Sequence, residues 1–250
     1  MSSVQSVLPA LSWGVLYSTT FTFMLAPSPA LFDPASSGTY YLPSLLGILS
    51  AFLFYFRFDI GLIPRSVIRR ESSFAPYFFI YMFIFSLVFN YPLGRVLGGI
   101  KPMEADLLNG ILGLAVLLLI PERFSIRLKI LEDESGRALL LSFLMVIFQI
   151  PALMDLSRTA LSLLPPLILG FKPSEALKLS FLSLPAYMMV LVALSPTRCH
   201  GTVGCSIAFS AAFFASIALA ALLLRLSKLR AFWPVYSVIP LALYVLEVVV

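Results

Sequence analysis

One polar segment interrupts a strongly apolar stretch of the chain, and it carries residues that suit phosphate chemistry. Arg158 lies between Ser157 and Thr159, and Ser162 follows one helical turn later. A guanidinium offers five donors in a planar fork that matches phosphate oxygens, and the hydroxyls add donors around it. If a helix begins near Ser157, its unpaired amide groups and positive dipole end also favour an anion. The segment therefore predicts an anion site.

Asp155 is the acidic residue nearest to this predicted anion site. Its type and position suit two roles, and the sequence leaves both open. As a structural partner, it would pair with Arg158 and hold the polar break together. As a catalytic group, it would be the nearest candidate acid or base for chemistry on the bound anion. We favour phosphate binding by Arg158, because a purely structural ion pair within a membrane gains little after desolvation.

The composition excludes a water-soluble protein. Of the 250 residues, 60% are apolar and 12% are charged, whereas about 25% are charged in an average soluble domain. The mean hydropathy is +0.99, and too little polar sequence remains to form the shell of a soluble domain. These values predict a helical integral membrane protein. The net charge of +5 fits basic cytoplasmic loops, so no nucleic-acid partner is expected.

Six apolar stretches are predicted as transmembrane helices, since a span needs about 20 mostly apolar residues. They are Tyr41–Phe56, Phe74–Asn90, Ala105–Ile120, Leu177–Leu194, Ser206–Leu224 and Phe232–Val250. Two further stretches, Leu8–Leu31 and Ala138–Gly170, have apolar arms around a polar or proline-containing break. Such breaks are tolerated at membrane depth where protein or a wet cavity surrounds them. We therefore predict two re-entrant helical hairpins.

The order of these elements predicts an all-α integral membrane fold built as an inverted repeat within one domain, residues 1–250. Residues 1–120 form the first repeat, residues 121–137 a charged linker and residues 138–250 the second repeat. Each repeat is one re-entrant hairpin followed by three spans, and the odd number of spans gives the two repeats opposite orientations. Many transporters follow this plan and bind their substrate where the repeats meet.

The distribution of Lys and Arg supports this topology. It places 13 of the 17 basic residues on one face and three on the other, with Arg158 inside the second hairpin. The positive-inside rule then puts the basic loops in the cytoplasm and both termini outside the cell membrane. Counting Leu140–Met154 as a full span instead would separate residues 225–230 from the other basic loops. Cys199 and Cys205 would lie on the outer, oxidising face, where a disulfide can form.

Several motifs resemble those of the undecaprenyl-pyrophosphate phosphatase family, of the bacitracin-resistance type. The segment Ser157–Thr159 is similar to the Ser-Arg-Ser of the family's second signature, with Ser162 at its Thr. Gln149 stands at a Gln that often precedes this signature, and Leu179–Leu182 is similar to the Phe-Ser-Phe-Leu motif that follows it. The tail Ala231–Tyr236 resembles the family's Phe-x-Pro-Phe-x-x-Tyr-Arg end.

The first signature of the family, Glu-Gly-x-Thr-Glu-Phe-Leu-Pro followed by Ser-Ser-Thr-Gly-His, should fall in the first hairpin. Here Tyr17 and Phe21 stand at the two Glu positions, and Thr20 stands at the Thr. The pair Pro27-Ser28 resembles what is left of the signature's Pro and Ser. No His follows. The chain therefore keeps the phosphate-binding half of the pattern and lacks its acidic pair.

The resemblance implies a membrane phosphatase that releases phosphate from undecaprenyl diphosphate, or another polyprenyl diphosphate, and so recycles a lipid carrier of cell-envelope synthesis. It implies Mg²⁺ or Ca²⁺ and no organic cofactor, while the metal ligands are not predicted. The expected partners are the lipid and the bilayer, and a dimer is one of the open oligomeric states. The predicted catalytic residues are Arg158, Ser157 and Asp155. The predicted substrate-binding residues are Thr159, Ser162, Gln149, Thr20 and Ser28.

The missing glutamate pair leaves a second function open. A relative could bind a polyprenyl phosphate, or another anionic lipid, and move it across the membrane without hydrolysis. Such a transporter would use the inverted repeats and phosphate binding by Arg158, and it would need no acid–base pair. A transporter of a non-lipid solute with a similar plan is the third alternative.

Overall fold

A computed structural model describes residues 3–24, 34–64, 66, 74–98, 102–120, 134–195 and 202–249 of the chain, and within these ranges every regular element is a helix. The helices are α1 (Ser3–Thr22), α2 (Pro34–Tyr55), α3 (Arg57–Gly61), α4 (Phe74–Gly94), α5 (Pro102–Leu119), α6 (Glu134–Gln149), α7 (Arg158–Ile168), α8 (Pro173–Leu194), α9 (Thr202–Leu226) and α10 (Phe232–Val249). A 3₁₀ turn, Ile150–Met154, continues α6, and a π-helical turn, Ser86–Asn90, interrupts α4.

Four helices in the described ranges are long and apolar enough to cross a membrane: Phe74–Gly94, Glu134–Met154, Pro173–Leu194 and Val203–Leu226. Two shorter apolar helices are Thr39–Tyr55 and Phe232–Val245. The described part of the chain is thus all-helical, and its long apolar helices indicate a membrane protein. Three of the four long helices were predicted as spans, whereas Glu134–Met154 contains what was predicted as the first arm of the second hairpin.

The first predicted hairpin, Leu8–Leu31, shows one unbroken arm in the described residues. Its Ser- and Thr-rich part does not interrupt α1, because the hydroxyls donate to carbonyls of the preceding turn. Ser18 Oγ donates to Gly14 O at 2.9 Å, and Thr22 Oγ1 donates to Ser18 O at 2.7 Å. The proline-containing part, residues 25–33, lies outside the described residues.

The helix interruption predicted near Asp155 and Ser157 is present. Asp155 has a left-handed backbone conformation, with φ 69° and ψ 17°, and Asp is one of the few residue types that adopt it readily. The next helix, α7, begins at Arg158 and packs against α6. The two helices around the break therefore lie side by side.

Small residues allow helices of the two halves of the chain to approach closely. Both α1 and α2 pack along α9, and α5 packs along α10. A Cβ atom at Gly14 of α1 would lie only 2.6 Å from Ala208 O of α9, and a Cβ atom at Gly113 of α5 would overlap Ser237 O of α10. Gly47 of α2 makes the same kind of contact with Phe209 O. Close backbone approach through small residues is typical of helix packing in membranes.

The helices α4, α6 and α8 run side by side in the same direction. Contacts near their starts and near their ends establish this. Near the starts, Phe74 packs on Phe171 with ring centroids 6.0 Å apart, and Ser142 Oγ donates to Phe78 O at 3.1 Å. Near the ends, Gly94 lies against the side chains of Leu153 and Leu194.

Cys205 is disulfide-bonded. Cys199, the other cysteine of the predicted pair, lies outside the described residues.

Candidate functional site

The short helix α7 is enclosed by other helices. Every residue from Arg158 to Leu167 is buried, and α7 packs against α1, α5, α6 and α8. Because α1 and α5 belong to the first half of the sequence and α6 and α8 to the second, α7 lies between the two halves. Its N-terminal end is the part that carries the predicted anion-binding residues.

Ser157 fixes where α7 begins. Its backbone is extended, and its Oγ accepts a hydrogen bond from the Ala160 N–H at 3.3 Å, which makes it the N-cap residue. Serine is among the preferred N-caps because it satisfies an amide that has no partner within the helix. The N–H of Ser157 itself donates to Asn109 Oδ1 of α5 at 2.7 Å. The start of α7 is therefore tied to the first half of the chain.

Arg158 is buried with a relative exposure of only 3%. Its Nη2 donates to Ser180 O at 2.6 Å and to Ser183 Oγ, both in α8. Its Nε and Nη1 atoms are buried and have no partner. Burying donors of a charged group without partners is strongly unfavourable. The guanidinium is therefore held on one side and left unpaired on the other.

Asp155 does not neutralise this charge. The structure gives no ion pair between the Asp155 carboxylate and Arg158, and the ion pair described elsewhere joins Lys178 to Asp59. The Asp155 side chain is exposed, whereas Arg158 is buried. The alternative in which Asp155 holds Arg158 in a structural pair is therefore not what the described contacts show.

The predicted hydroxyl and amide groups of the second half converge on two serines of α8. Gln149 Nε2 donates to Ser183 Oγ at 3.2 Å, and the hydroxyls of Ser162 and Ser180 share a hydrogen bond. Arg158 contacts the same two serines. The structure thus brings Gln149, Arg158 and Ser162 together around Ser180 and Ser183.

The remaining predicted substrate-binding residues are placed differently. Thr159 Oγ1 donates to Phe21 O at 2.9 Å, so this hydroxyl already forms a hydrogen bond between α7 and α1. Thr20 Oγ1 donates to Tyr17 O at 2.9 Å within α1. Ser28 lies outside the described residues. At the two positions that the resemblance assigns to glutamates, the buried side chains are the aromatic rings of Tyr17 and Phe21.

Asn109 is a site residue that sequence reasoning missed. It has a relative exposure of 1%, it bonds the backbone at the start of α7 through Oδ1, and its Nδ2 has no partner. The available signal was a lone amide side chain in an apolar helix, which is costly to bury and therefore informative.

A second missed amide lies in the π-helical turn of α4. Asn90 is fully buried, and neither its Oδ1 nor its Nδ2 has a partner; the Oγ of Ser86 also has none. This turn packs against α6 and α8. Gln149 Oε1 is likewise buried without a partner. Single π-helical turns occur frequently at functional sites, but no described hydrogen bond joins Asn90 to Arg158 or to α7.

The described residues do not fit the divalent metal that the resemblance implies. They contain no group of three or more His, Cys, Asp and Glu side chains that could hold a metal ion. The polar groups around Arg158 are hydroxyls, amides and the guanidinium itself, whereas Mg²⁺ and Ca²⁺ prefer carboxylate and carbonyl oxygens. Guanidinium and hydroxyl donors of this kind suit an anion better than a cation.

No protein-family model and no curated protein matches this chain. Its functional interpretation rests on its own residues and their geometry.

Proposed function

We propose that this membrane protein binds the phosphate head group of a polyprenyl lipid, as the diphosphate or the monophosphate, at Arg158. The observation that carries the proposal is the buried guanidinium whose Nε and Nη1 have no partner. A phosphate would accept from these donors and neutralise the charge, since charge-assisted hydrogen bonds between guanidinium and phosphate are strong. A lipid brings such an anion to a site within the membrane, where free phosphate is poorly soluble.

The first candidate activity is hydrolysis of a polyprenyl diphosphate to the monophosphate and inorganic phosphate. Asp155 supports it, because this carboxyl lies in the break that precedes Arg158 and is the acidic residue nearest to it in the sequence. Asp155 would take the proton of the attacking water, and Arg158 would stabilise the charge of the transferred phosphoryl group. With Tyr17 and Phe21 at the glutamate positions, Asp155 is the acidic residue on which hydrolysis would depend.

The second candidate activity is transport of the lipid without hydrolysis. It is supported by contacts that recur in the two halves of the chain. Ser18 Oγ of α1 donates to Ala212 O of α9 at 3.0 Å, and Ser142 Oγ of α6 donates to Phe78 O of α4 at 3.1 Å. The symmetry of an inverted repeat would map α1 onto α6 and α9 onto α4. The bond from Ser18 to α9 would then correspond to the bond from Ser142 to α4.

The remaining helix pairs follow the same exchange. α2 packs on α9 as α8 packs on α4, while the pairs α2–α8 and α5–α10 would each map onto themselves. We therefore infer six spans and two re-entrant hairpins arranged as inverted repeats. Arg158 would lie near the interface between the two repeats. Transporters built on this plan bind their substrate at the corresponding position.

We further infer a cell-membrane protein with its basic loops in the cytoplasm and both termini outside. Lys178 Nζ lies 3.5 Å from Asp59 Oδ1, so the start of α8 lies beside α3, which follows α2. Phe74, at the start of α4, packs on Phe171, just before α8. These contacts bring two of the basic segments to one end of the molecule, as the positive-inside rule requires.

The test is to measure lipid binding and phosphate release by the purified protein in detergent, using undecaprenyl diphosphate with and without Mg²⁺ or Ca²⁺. We expect Arg158→Ala to weaken binding by roughly tenfold or more, because charge-assisted hydrogen bonds are lost. Arg158→Lys keeps the charge without the fork and should fall in between. Arg95→Ala removes an exposed arginine that contacts Tyr91 and serves as the matched control.

Asp155→Asn separates the two candidate activities. If the protein is a hydrolase, this variant binds the lipid and releases no phosphate. If the wild-type protein binds through Arg158 but releases no phosphate, transport becomes the function, and lipid movement across vesicles is measured next. Unchanged binding by a correctly folded Arg158→Ala variant would refute the site.

A further inference from the structure

The amide of Asn109 is oriented by the backbone of α7. Only an oxygen can accept the N–H of Ser157, so Oδ1 faces Ser157 at 2.7 Å and Nδ2 occupies the other branch of the amide. The oxygen and nitrogen of one amide lie about 2.3 Å apart, and Nδ2 is therefore within about 5 Å of the Ser157 nitrogen. Nδ2 is buried and has no partner. Two donor hydrogens thus lie unpaired beside the start of α7.

We propose that Asn109 Nδ2 binds the phosphate of the lipid head group together with Arg158, which makes Asn109 a ligand-binding residue of the site. The proposal rests on the proposed function, since the ligand is the same head group. The first turn of α7 begins in the same place, and the positive end of its dipole favours an anion. Asn109 comes from α5 and Arg158 from α7, so the bound phosphate would join the two halves of the chain.

A purely structural role does not account for an amide at this position. An acceptor for the Ser157 N–H is all that the observed bond needs, and an Asp would supply it without leaving two buried donors unpaired. A carboxylate would also be favoured by the dipole of α7 and by the charge of Arg158. It would, however, neutralise Arg158 from within the protein and repel a phosphate. The neutral amide keeps the acceptor and leaves the anion site open.

Asn109→Asp is the decisive variant, because it changes the donor and keeps the acceptor and the shape. We expect thermal stability without lipid to be equal to or above that of the wild type, and affinity for undecaprenyl diphosphate to fall by roughly tenfold or more. Asn109→Ala removes the acceptor as well, so it should lower both stability and affinity. A structural cap alone would give the opposite result for Asn109→Asp, with full affinity.

Asn90→Asp is the matched control, since Asn90 is also buried and makes no hydrogen bond to α7. We expect it to lower stability and to leave lipid affinity within about twofold of the wild type. An equal loss of affinity in both variants would indicate a general effect of a buried carboxyl and would overturn the assignment.

The same titrations separate the failure of this inference from failure of the proposed function. If the wild type binds and Arg158→Ala does not, while Asn109→Asp binds like the wild type, only the role of Asn109 is refuted. If the wild type shows no saturable binding of undecaprenyl diphosphate or undecaprenyl phosphate, the proposed ligand is refuted, and the role of Asn109 with it.

Discussion

At the residue scale, the start of α7 holds more hydrogen-bond donors than its surroundings can pair. Arg158 Nε and Nη1 and Asn109 Nδ2 are buried without acceptors. Unpaired buried donors are rare in folded proteins, because each forfeits the bonds that it made to water. These donors belong to the first residue of α7 and to the residue that bonds its N-cap, and an anion is the kind of ligand that such donors would bind.

Ser183 is the residue that holds the opposite side of the guanidinium. Its Oγ accepts from Gln149 Nε2 and Arg158 Nη2, and it donates to Ser180 O. Ser183→Ala leaves two buried donors without this acceptor, and we expect the free energy of unfolding to fall by about 1–3 kcal/mol. Ser12→Ala removes an exposed hydroxyl that bonds only within α1 and should change stability little. Thermal unfolding in detergent compares the two, and equal melting temperatures would argue against a buried network.

The residues that sequence reasoning identified and missed differ in one physical respect. Ser157, Arg158 and Ser162 lie close together in the chain, so their shared chemistry is visible as a motif. Asn109 is 48 residues from its partner Ser157, and nothing in its local sequence indicates which helix it will meet. Thr20 has a suitable side chain, but a hydroxyl in a helix can bond its own backbone, and this outcome is invisible in composition.

At the scale of elements, backbone contact between helices sets how the site is enclosed. α1 reaches α7 because it lies directly on α9, where Gly14 faces the carbonyl of Ala208. At the far end of α1, Phe21 O accepts the hydroxyl of Thr159, and Thr22 O accepts that of Tyr236 at 2.6 Å. A shift of α1 would therefore disturb the start of α7 as well as the contact with α9.

Gly14→Ala tests this packing. The new Cβ would lie 2.6 Å from Ala208 O and 2.8 Å from the Cβ of Ala211, so the helices must separate, and overpacking of this kind costs about 1–3 kcal/mol. We expect a lower melting temperature and weaker lipid binding. Gly61→Ala is the matched control, because nothing lies within 4 Å of its new Cβ. If both variants have the melting temperature of the wild type, the close contact of α1 and α9 is not important for stability.

The sequence predicted elements well where polarity changes abruptly. The break at Asp155 was visible because charged and hydroxyl residues separate two apolar arms of the chain. The Ser- and Thr-rich stretch of α1 has a similar composition, yet its hydroxyls satisfy themselves within the helix. The π-helical turn of α4 left no signal in the pattern, since one extra residue within a long apolar helix hardly alters its periodicity.

At the scale of the whole molecule, orientation in the membrane decides which side of the bilayer the site can open to. The helix Glu134–Met154 is long enough to span, and a full span there would reverse the orientation of everything that follows. Lys178 of α8 contacts Asp59, and Phe171, just before α8, contacts Phe74. These contacts favour the other topology, in which α8 and α4 begin on the same side. Length alone therefore does not determine topology where a helix is followed by a break and a second helix packed against it.

Accessibility of single cysteines distinguishes the two topologies. Leu62, Val96, Val203 and Leu229 are exposed, and each is replaced by Cys in a chain whose native cysteines are replaced by serine. With inverted repeats, a membrane-impermeant maleimide added to intact cells labels Val96→Cys and Val203→Cys. It labels Leu62→Cys and Leu229→Cys only after the cells are opened, because those positions lie beside the basic loops. A full span at Glu134–Met154 would instead make Leu229→Cys reactive from outside and Val203→Cys protected. That result would remove the inverted repeat and with it the argument for transport, while the anion site at Arg158 would still stand on its own contacts.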